Sequence, residues 1–327
     1  MAIHPVVIFV GGLVIITLGA EFVLRSASRI AALMGVKPIL IGLTVVSVGT
    51  SMPELAVGIT AVAEGKGPLA VGNIAGTNIL NILFILGLSA ALRPLPLQLQ
   101  NIKLDVPVMI ATSIVLLLMA LDGILSKMEG LILIIAALIY TIALVRISLQ
   151  ETQKVKKEFE EEFSPKVLIK ERGRFVWAAY TFLLLSGMAL TVLGAELLVA
   201  GAVSIAVAFG VSDAIIGLTI VAIGTSAPEL ATTIVATIKN DRDVAVGNLI
   251  GSSISNVLVI LGITCVVSAN GVEVSSDILW LDLPLAALVA IVCYPVFRSE
   301  RMISRNEGAV FVFLYCVYLF TLIYFRT

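Results

Sequence analysis

Two glutamates, Glu54 and Glu229, stand alone in apolar sequence: no other charged residue lies between Lys37 and Glu64, or between Asp213 and Lys239. Oxygen-bearing residues gather around each. Ser47, Ser51 and Glu54 are spaced i, i+4 and i+7, which puts them on one helical face, and Thr50 beside them offers a hydroxyl or a backbone carbonyl. Ala222, Thr225, Ser226 and Glu229 repeat the arrangement, with alanine replacing the first serine. Further on, Thr77 with Asn81 and Ser252 with Asn256 form pairs four residues apart. Carboxylate, hydroxyl, amide and carbonyl oxygens together suit hard cations such as Ca²⁺ and Na⁺. The absence of nearby thiol or imidazole ligands argues against zinc or copper.

Each hydroxyl alone has a bland reading, because serine and threonine in apolar helices often bond the preceding turn. Gly72, Gly76, Gly247 and Gly251 read as close helix packing, and Asn73 and Asn248 as supports for helix ends. The glutamates do not reduce this way, since an ionisable side chain at bilayer depth is costly and marks a functional site by default. Pro53 and Pro228 sit next to them. Proline removes a backbone donor and breaks or kinks a helix, and carbonyls freed inside a membrane need a partner such as a bound ion.

The elements that must carry these residues follow from a duplication. The segment IGLTVVSVGTSMPELAVG from Ile41 returns as IGLTIVAIGTSAPELATT from Ile216, with 12 of 18 positions identical at an offset of 175 residues. Of the 327 residues, 59% are hydrophobic and 13% charged, against about 25% charged in soluble domains. Apolar runs long enough to cross a hydrocarbon core of about 30 Å recur throughout. The chain therefore reads as an all-α polytopic membrane protein of ten spans. They fall near 5–31, 38–63, 68–91, 105–121, 129–147, 175–206, 212–238, 244–268, 277–296 and 306–325.

If both termini lie outside, 18 of the 21 Lys and Arg residues fall in inside connections, leaving only Lys66, Lys127 and Arg326 outside. That is the bias expected of cytoplasmic loops. Five spans per repeat is an odd number, so the second repeat enters the membrane from the opposite side. The expected division is 1–148 for the first five-helix repeat, 149–174 for a cytoplasmic linker and 175–327 for the inverted second repeat, with helices 2, 3, 7 and 8 broken.

Composition excludes several classes. No basic tract suggests nucleic acid, and the single histidine, His4, precedes the first span. Cys265, Cys293 and Cys316 share no metal-ligand spacing. Ser51 or Ser226 as a nucleophile lacks a base nearby in sequence, so no enzyme is expected. No cofactor and no obligatory protein partner are implied; the expected partners are the ions and membrane lipid. The N-terminus lacks a cleavable-signal pattern, so the first span is expected to remain. Glu21 and Glu196 also recur; Glu21 with Arg25 one turn later reads as an intrahelical pair or a snorkelling side chain.

At these residues the sequence resembles the cation/Ca²⁺ exchanger superfamily, in its prokaryotic Na⁺/Ca²⁺ exchanger-like branch. The motifs carrying the resemblance are GTSMPEL (49–55) with GNIAGTNILN (72–81), and GTSAPEL (224–230) with GNLIGSSISN (247–256). The resemblance implies a prokaryotic cell-membrane antiporter working by alternating access. It implies a central Ca²⁺ site of Glu54 and Glu229 with carbonyls of Thr50 and Thr225. It also implies flanking Na⁺ sites, one using Ser51, Thr77 and the Ser47 carbonyl, the other Ser226, Ser252 and the Ala222 carbonyl, with Asn81 and Asn256 completing the middle. Relatives often carry an acidic residue where Asn256 stands; asparagine at both 81 and 256 leaves two carboxylates and suggests K⁺ independence. The rival expectations are a Ca²⁺/H⁺ exchanger and, in a different class, a cation channel. A channel filter is usually repeated around a pore, which a two-fold repeat does not provide.

Overall fold

The computed structural model describes residues 4–97, 101–162, 174–209, 222–299 and 301–326. Among the described residues the regular structure is helical apart from four two-residue strands. Helix α1 (Pro5–Met34) precedes a bent pair, α2 (Pro38–Thr50) and α3 (Met52–Ala63), whose axes differ by 41°. Then come α4 (Gly67–Leu92), α5 (Ile102–Asp122) and α6 (Lys127–Glu162). In the second half, α7 (Arg174–Ala208) is followed by short α8 (Ala222–Thr225) and α9 (Ala227–Ile238), then α10 (Arg242–Val267), α11 (Ile278–Ser299) and α12 (Arg305–Arg326). Among the described residues, eight helices are long and apolar enough to cross a membrane, and the α2–α3 pair makes a ninth. The expected seventh span begins at 212, and its portion up to 221 lies outside the described residues.

Two expectations about these elements change. Spans three and eight were expected broken, yet α4 and α10 are continuous. Neither contains an interior proline, and each instead loosens into π-helix, over Leu80–Leu86 and Asn256–Leu261. Such insertions widen the i→i+4 ladder without cutting it and often mark functional sites. The expected linker does not start at a helix end: α6 continues to Glu162, and 163–173 lie outside the described residues.

The long helices α1 and α7 cross in antiparallel fashion through glycines seven residues apart. Added methyl groups on Gly12 and Gly194 would collide with backbone of the opposite helix. One on Gly19 would stand 2.6 Å from the Thr191 nitrogen, and one on Gly201 2.6 Å from the Phe9 nitrogen. Only glycine permits this approach. The innermost helices are α4 and α10, each 78% buried along its apolar window, whereas α6 and α12 are 17% buried and leave their faces to lipid. Gly247 and Gly251 bring α10 onto α2, within 2.9 Å of the Ile39 carbonyl and 2.7 Å of Leu43 for an added methyl, so their reading as packing residues holds. Gly72 faces Ile278 at 3.1 Å, while the residues that the repeat would place against Gly76, near 218, lie outside the described ones.

The connections tie the two halves together. Strand β1 (Leu95–Pro96) pairs antiparallel with β4 (Met302–Ile303), and β2 (Ile124–Leu125) with β3 (Val272–Glu273). Helices α6 and α12 both begin with a capping box. Glu129 Oε2 accepts from the Ser126 nitrogen at 2.7 Å, and Glu307 Oε2 from the Ser304 nitrogen at 2.8 Å, while each serine hydroxyl accepts from the glutamate N–H in return.

Candidate cation-binding site

The break between α2 and α3 falls at Ser51, whose backbone leaves the helix (φ −83°, ψ 12°); Ser226 does the same between α8 and α9 (φ −90°, ψ 9°). Pro53 has no N–H for the carbonyl of Gly49. Backbone bonding resumes past the break with the Leu55 N–H on the Ser51 carbonyl (3.2 Å), and likewise with Leu230 on Ser226 (3.0 Å). Glu54 and Glu229 thus sit in the first turns of α3 and α9, where helix N-termini favour negative charge.

Both glutamates are fully buried, as are Ser47, Thr50, Ser51, Asn81, Ser226, Ser252 and Asn256; Thr77 is 3% exposed. Thr225 is half-buried at the end of α8, and Ala222 is the first described residue of that helix. The halves bond crosswise. Ser51 Oγ donates to Glu229 Oε1 at 3.0 Å, and Ser226 Oγ to Glu54 Oε1 at 3.4 Å. The second oxygen of each carboxylate, Oε2, is buried without a hydrogen-bond partner. Two buried carboxylates, each half-satisfied, are costly unless a positive charge or proton joins them.

The flanking hydroxyls group differently from the resemblance-based assignment. Thr77 Oγ1 lies 3.4 Å from Ser226 Oγ, and Ser252 Oγ donates to the Ser47 carbonyl at 3.4 Å. The cause is geometric: α10 packs on α2, so each repeat's buried helix meets the other repeat's break. The Ser47 hydroxyl bonds back to the Leu43 and Thr44 carbonyls (2.9 and 3.0 Å), leaving its own carbonyl as the group turned to the cluster. Asn248 accepts from Thr50 Oγ1 and donates to Thr233 Oγ1, both at 3.3 Å, which is the supporting role expected of it.

Other polar residues escaped the sequence reading. Asp105, fully buried, accepts from Tyr140 Oη at 2.9 Å, and Asp282 from Tyr318 Oη at 3.3 Å. The repeated Asp-x-Pro at 105–107 and 282–284 signals them, at an offset of 177 rather than 175. Asn78 bonds across the halves and also went unnoticed. Glu21 meets Arg25 at 2.6 Å as expected, and in addition pairs with Lys239 beyond α9; Glu196 is exposed.

The profile of the sodium/calcium exchanger protein family matches residues 4–146 and 179–324. The chain belongs to the sodium/calcium exchanger family. The sodium/calcium exchanger MaX1 of Methanosarcina acetivorans is 30% identical to it over 341 aligned positions, 96% of this chain and 97% of that protein. The inner membrane protein YrbG of Escherichia coli is 33% identical over 266, covering 80% and 79%. The solved structure of the exchanger NCX_Mj soaked without Na⁺ and Ca²⁺ matches with a TM-score of 0.80 at 29% identity, over 98% of this chain and 100% of the other. The exchanger is accordingly an integral membrane transporter, not an enzyme, and cation exchange is its business.

Proposed function

We propose that this exchanger moves Ca²⁺ against Na⁺ by alternating access, without a requirement for K⁺. The observation that carries the reading is the crosswise pair of buried carboxylates, each with one oxygen held by the other repeat's serine and one oxygen unpartnered. Two negative charges match one Ca²⁺ or two Na⁺, so the cations compete for the same oxygens and bind alternately. An empty site keeps two desolvated charges, which opposes the transition and limits leak.

Ca²⁺ would sit between Glu54 and Glu229 with the carbonyls of Thr50 and Thr225. The hydrogen bonds favour one Na⁺ site from Ser51, Ser252 and the Ser47 carbonyl, and another from Ser226, Thr77 and the Ala222 carbonyl. Asn81 and Asn256 supply amide oxygens in the middle. The antiparallel crossing of α1 and α7 supports ten spans in two inverted repeats, 1–148 and 175–327, around a cytoplasmic linker at 149–174. Charge placement supports both termini outside, and the relative YrbG, an inner membrane protein, supports a prokaryotic inner membrane.

Proteoliposomes test this directly. Radiolabelled Ca²⁺ should enter Na⁺-loaded vesicles in K⁺-free medium, and a pH gradient alone should drive none. Uptake on the pH gradient alone indicates the Ca²⁺/H⁺ reading, and a K⁺ requirement removes K⁺ independence. Single-channel current in place of saturable counterflow indicates a channel.

A further inference from the structure

Asn78 lies in α4, buried, and nothing in the exchange reading uses it. Both of its hydrogen bonds reach the second half. Its Nδ2 donates to the Ser253 carbonyl at 3.1 Å, and its Oδ1 accepts from Asn256 Nδ2 at 3.1 Å. The first bond fixes the orientation of the second. A carbonyl can only accept, so Asn78 must turn its nitrogen to Ser253 and its oxygen to Asn256, and Asn256 must answer with its own nitrogen.

Ser253 is the residue that the 175-residue offset matches to Asn78. A residue touching its own counterpart lies at the pseudo-two-fold axis, where every bond has a potential mirror. The mirror of Asn78–Asn256 would join Ser253 to Asn81. It is not made: Ser253 Oγ and both amide atoms of Asn81 are buried without hydrogen-bond partners. A serine hydroxyl reaches one bond less far from the backbone than an asparagine amide, and here it makes no bond to Asn81.

The two central asparagines, identical in sequence, are thereby made unequal. Asn256 has its nitrogen engaged and its Oδ1 buried and unpartnered, which is the end a hard cation takes. Asn81 has neither end fixed. We infer that Asn78 is a positioning residue that holds the Asn256 amide with its oxygen free for the transported cation, so that the α10 side of the central site is preformed and the α4 side is not. The inference rests on the exchange reading of this site. Preorganised ligands bind more tightly because their ordering cost is met before the ion arrives.

Equilibrium binding of radiolabelled Ca²⁺ to the purified full chain, with thermal unfolding alongside, tests it. Asn78→Ser should weaken Ca²⁺ binding roughly three- to tenfold, the loss of about one buried hydrogen bond's worth of orientation. Adding Ser253→Asn to that variant moves the clamp to Asn81, and binding should return to within about twofold of the wild type. A purely structural role predicts no such rescue. Binding by Asn78→Ser within about twofold of wild type overturns the inference, as does a folded double variant that stays weak. The double variant carries the test if the single one does not fold. A wild-type protein that binds no Ca²⁺ contradicts the exchange reading itself, whereas wild-type binding with an unaffected Asn78→Ser contradicts this inference alone.

Discussion

At the scale of single residues, the site is held by a few hydrogen bonds of unequal length, and that inequality can be measured. Ser51 reaches Glu229 at 3.0 Å and Ser226 reaches Glu54 at 3.4 Å. Ser51→Ala should therefore cost more than Ser226→Ala. A bond to a charged group contributes about 1.5–3 kcal/mol, so the apparent KM for Ca²⁺ in Ser51→Ala vesicles should rise by roughly tenfold or more. Equal effects would contradict the inequality of the two bonds. The residues themselves were legible in sequence because a lone carboxylate between Lys37 and Glu64 has no structural explanation. Their grouping was not. Spacing along one helix says which side chains share a face, but Thr77 meets Ser226 only because two helices from different repeats touch. Asn78 was hidden for the same reason: its partners lie 175 and 178 positions away.

At the scale of elements, sequence foretold the break at Ser51 and missed the π-helical stretches. Proline is a local signal with a local effect. The π turns beginning at Leu80 and Asn256 carry Asn81 and Asn256 in runs otherwise of Leu, Ile, Val and Phe, with no local signal for π geometry, and packing decides them. The capping boxes of α6 and α12 carry a readable signature, Ser-x-x-Glu at 126–129 and 304–307. The crossing of α1 and α7 makes its own prediction. Gly19→Leu has no room beside Thr191, and overpacking of this kind costs about 1–3 kcal/mol. Thermal unfolding in detergent should show a lowered midpoint, while the surface change Leu18→Ala should show little. The far end of α1 is held differently, by Glu21 with Lys239 and by Ser28 Oγ on Asp241 at 2.5 Å. Repeat symmetry does not copy this contact. Glu64 stands where Lys239 does, and it pairs with Lys66 at 2.7 Å. Lys239→Gln should speed hydrogen exchange over 21–34 by roughly three- to fivefold, the effect of one partly exposed ion pair. Unchanged exchange there would mean that this end of α1 is held by packing alone.

At the scale of the whole molecule, the duplicated sequence, with its first helices crossing antiparallel, makes one broken helix in each half enough. Each repeat contributes a glutamate, a serine to hold the other's glutamate, and a buried helix that packs on the other's break. Neither half has a complete site. The strand pairs β1–β4 and β2–β3 join the halves at connections that charge counting assigns to opposite sides of the membrane. Single cysteines placed in 149–162 should therefore react with an impermeant thiol reagent only from inside, and one at Lys66 only from outside, in a background lacking the native cysteines. Reaction of both from one face would contradict the inverted arrangement. The central claim is that Glu54 and Glu229 together form the shared Ca²⁺ and Na⁺ site. Radiolabelled Ca²⁺ uptake into Na⁺-loaded proteoliposomes, compared among wild type, Glu54→Gln and Glu229→Gln at equal incorporation, tests it most directly. Wild-type uptake with neither variant above empty liposomes is the predicted result, and coupled uptake retained in both variants would contradict it.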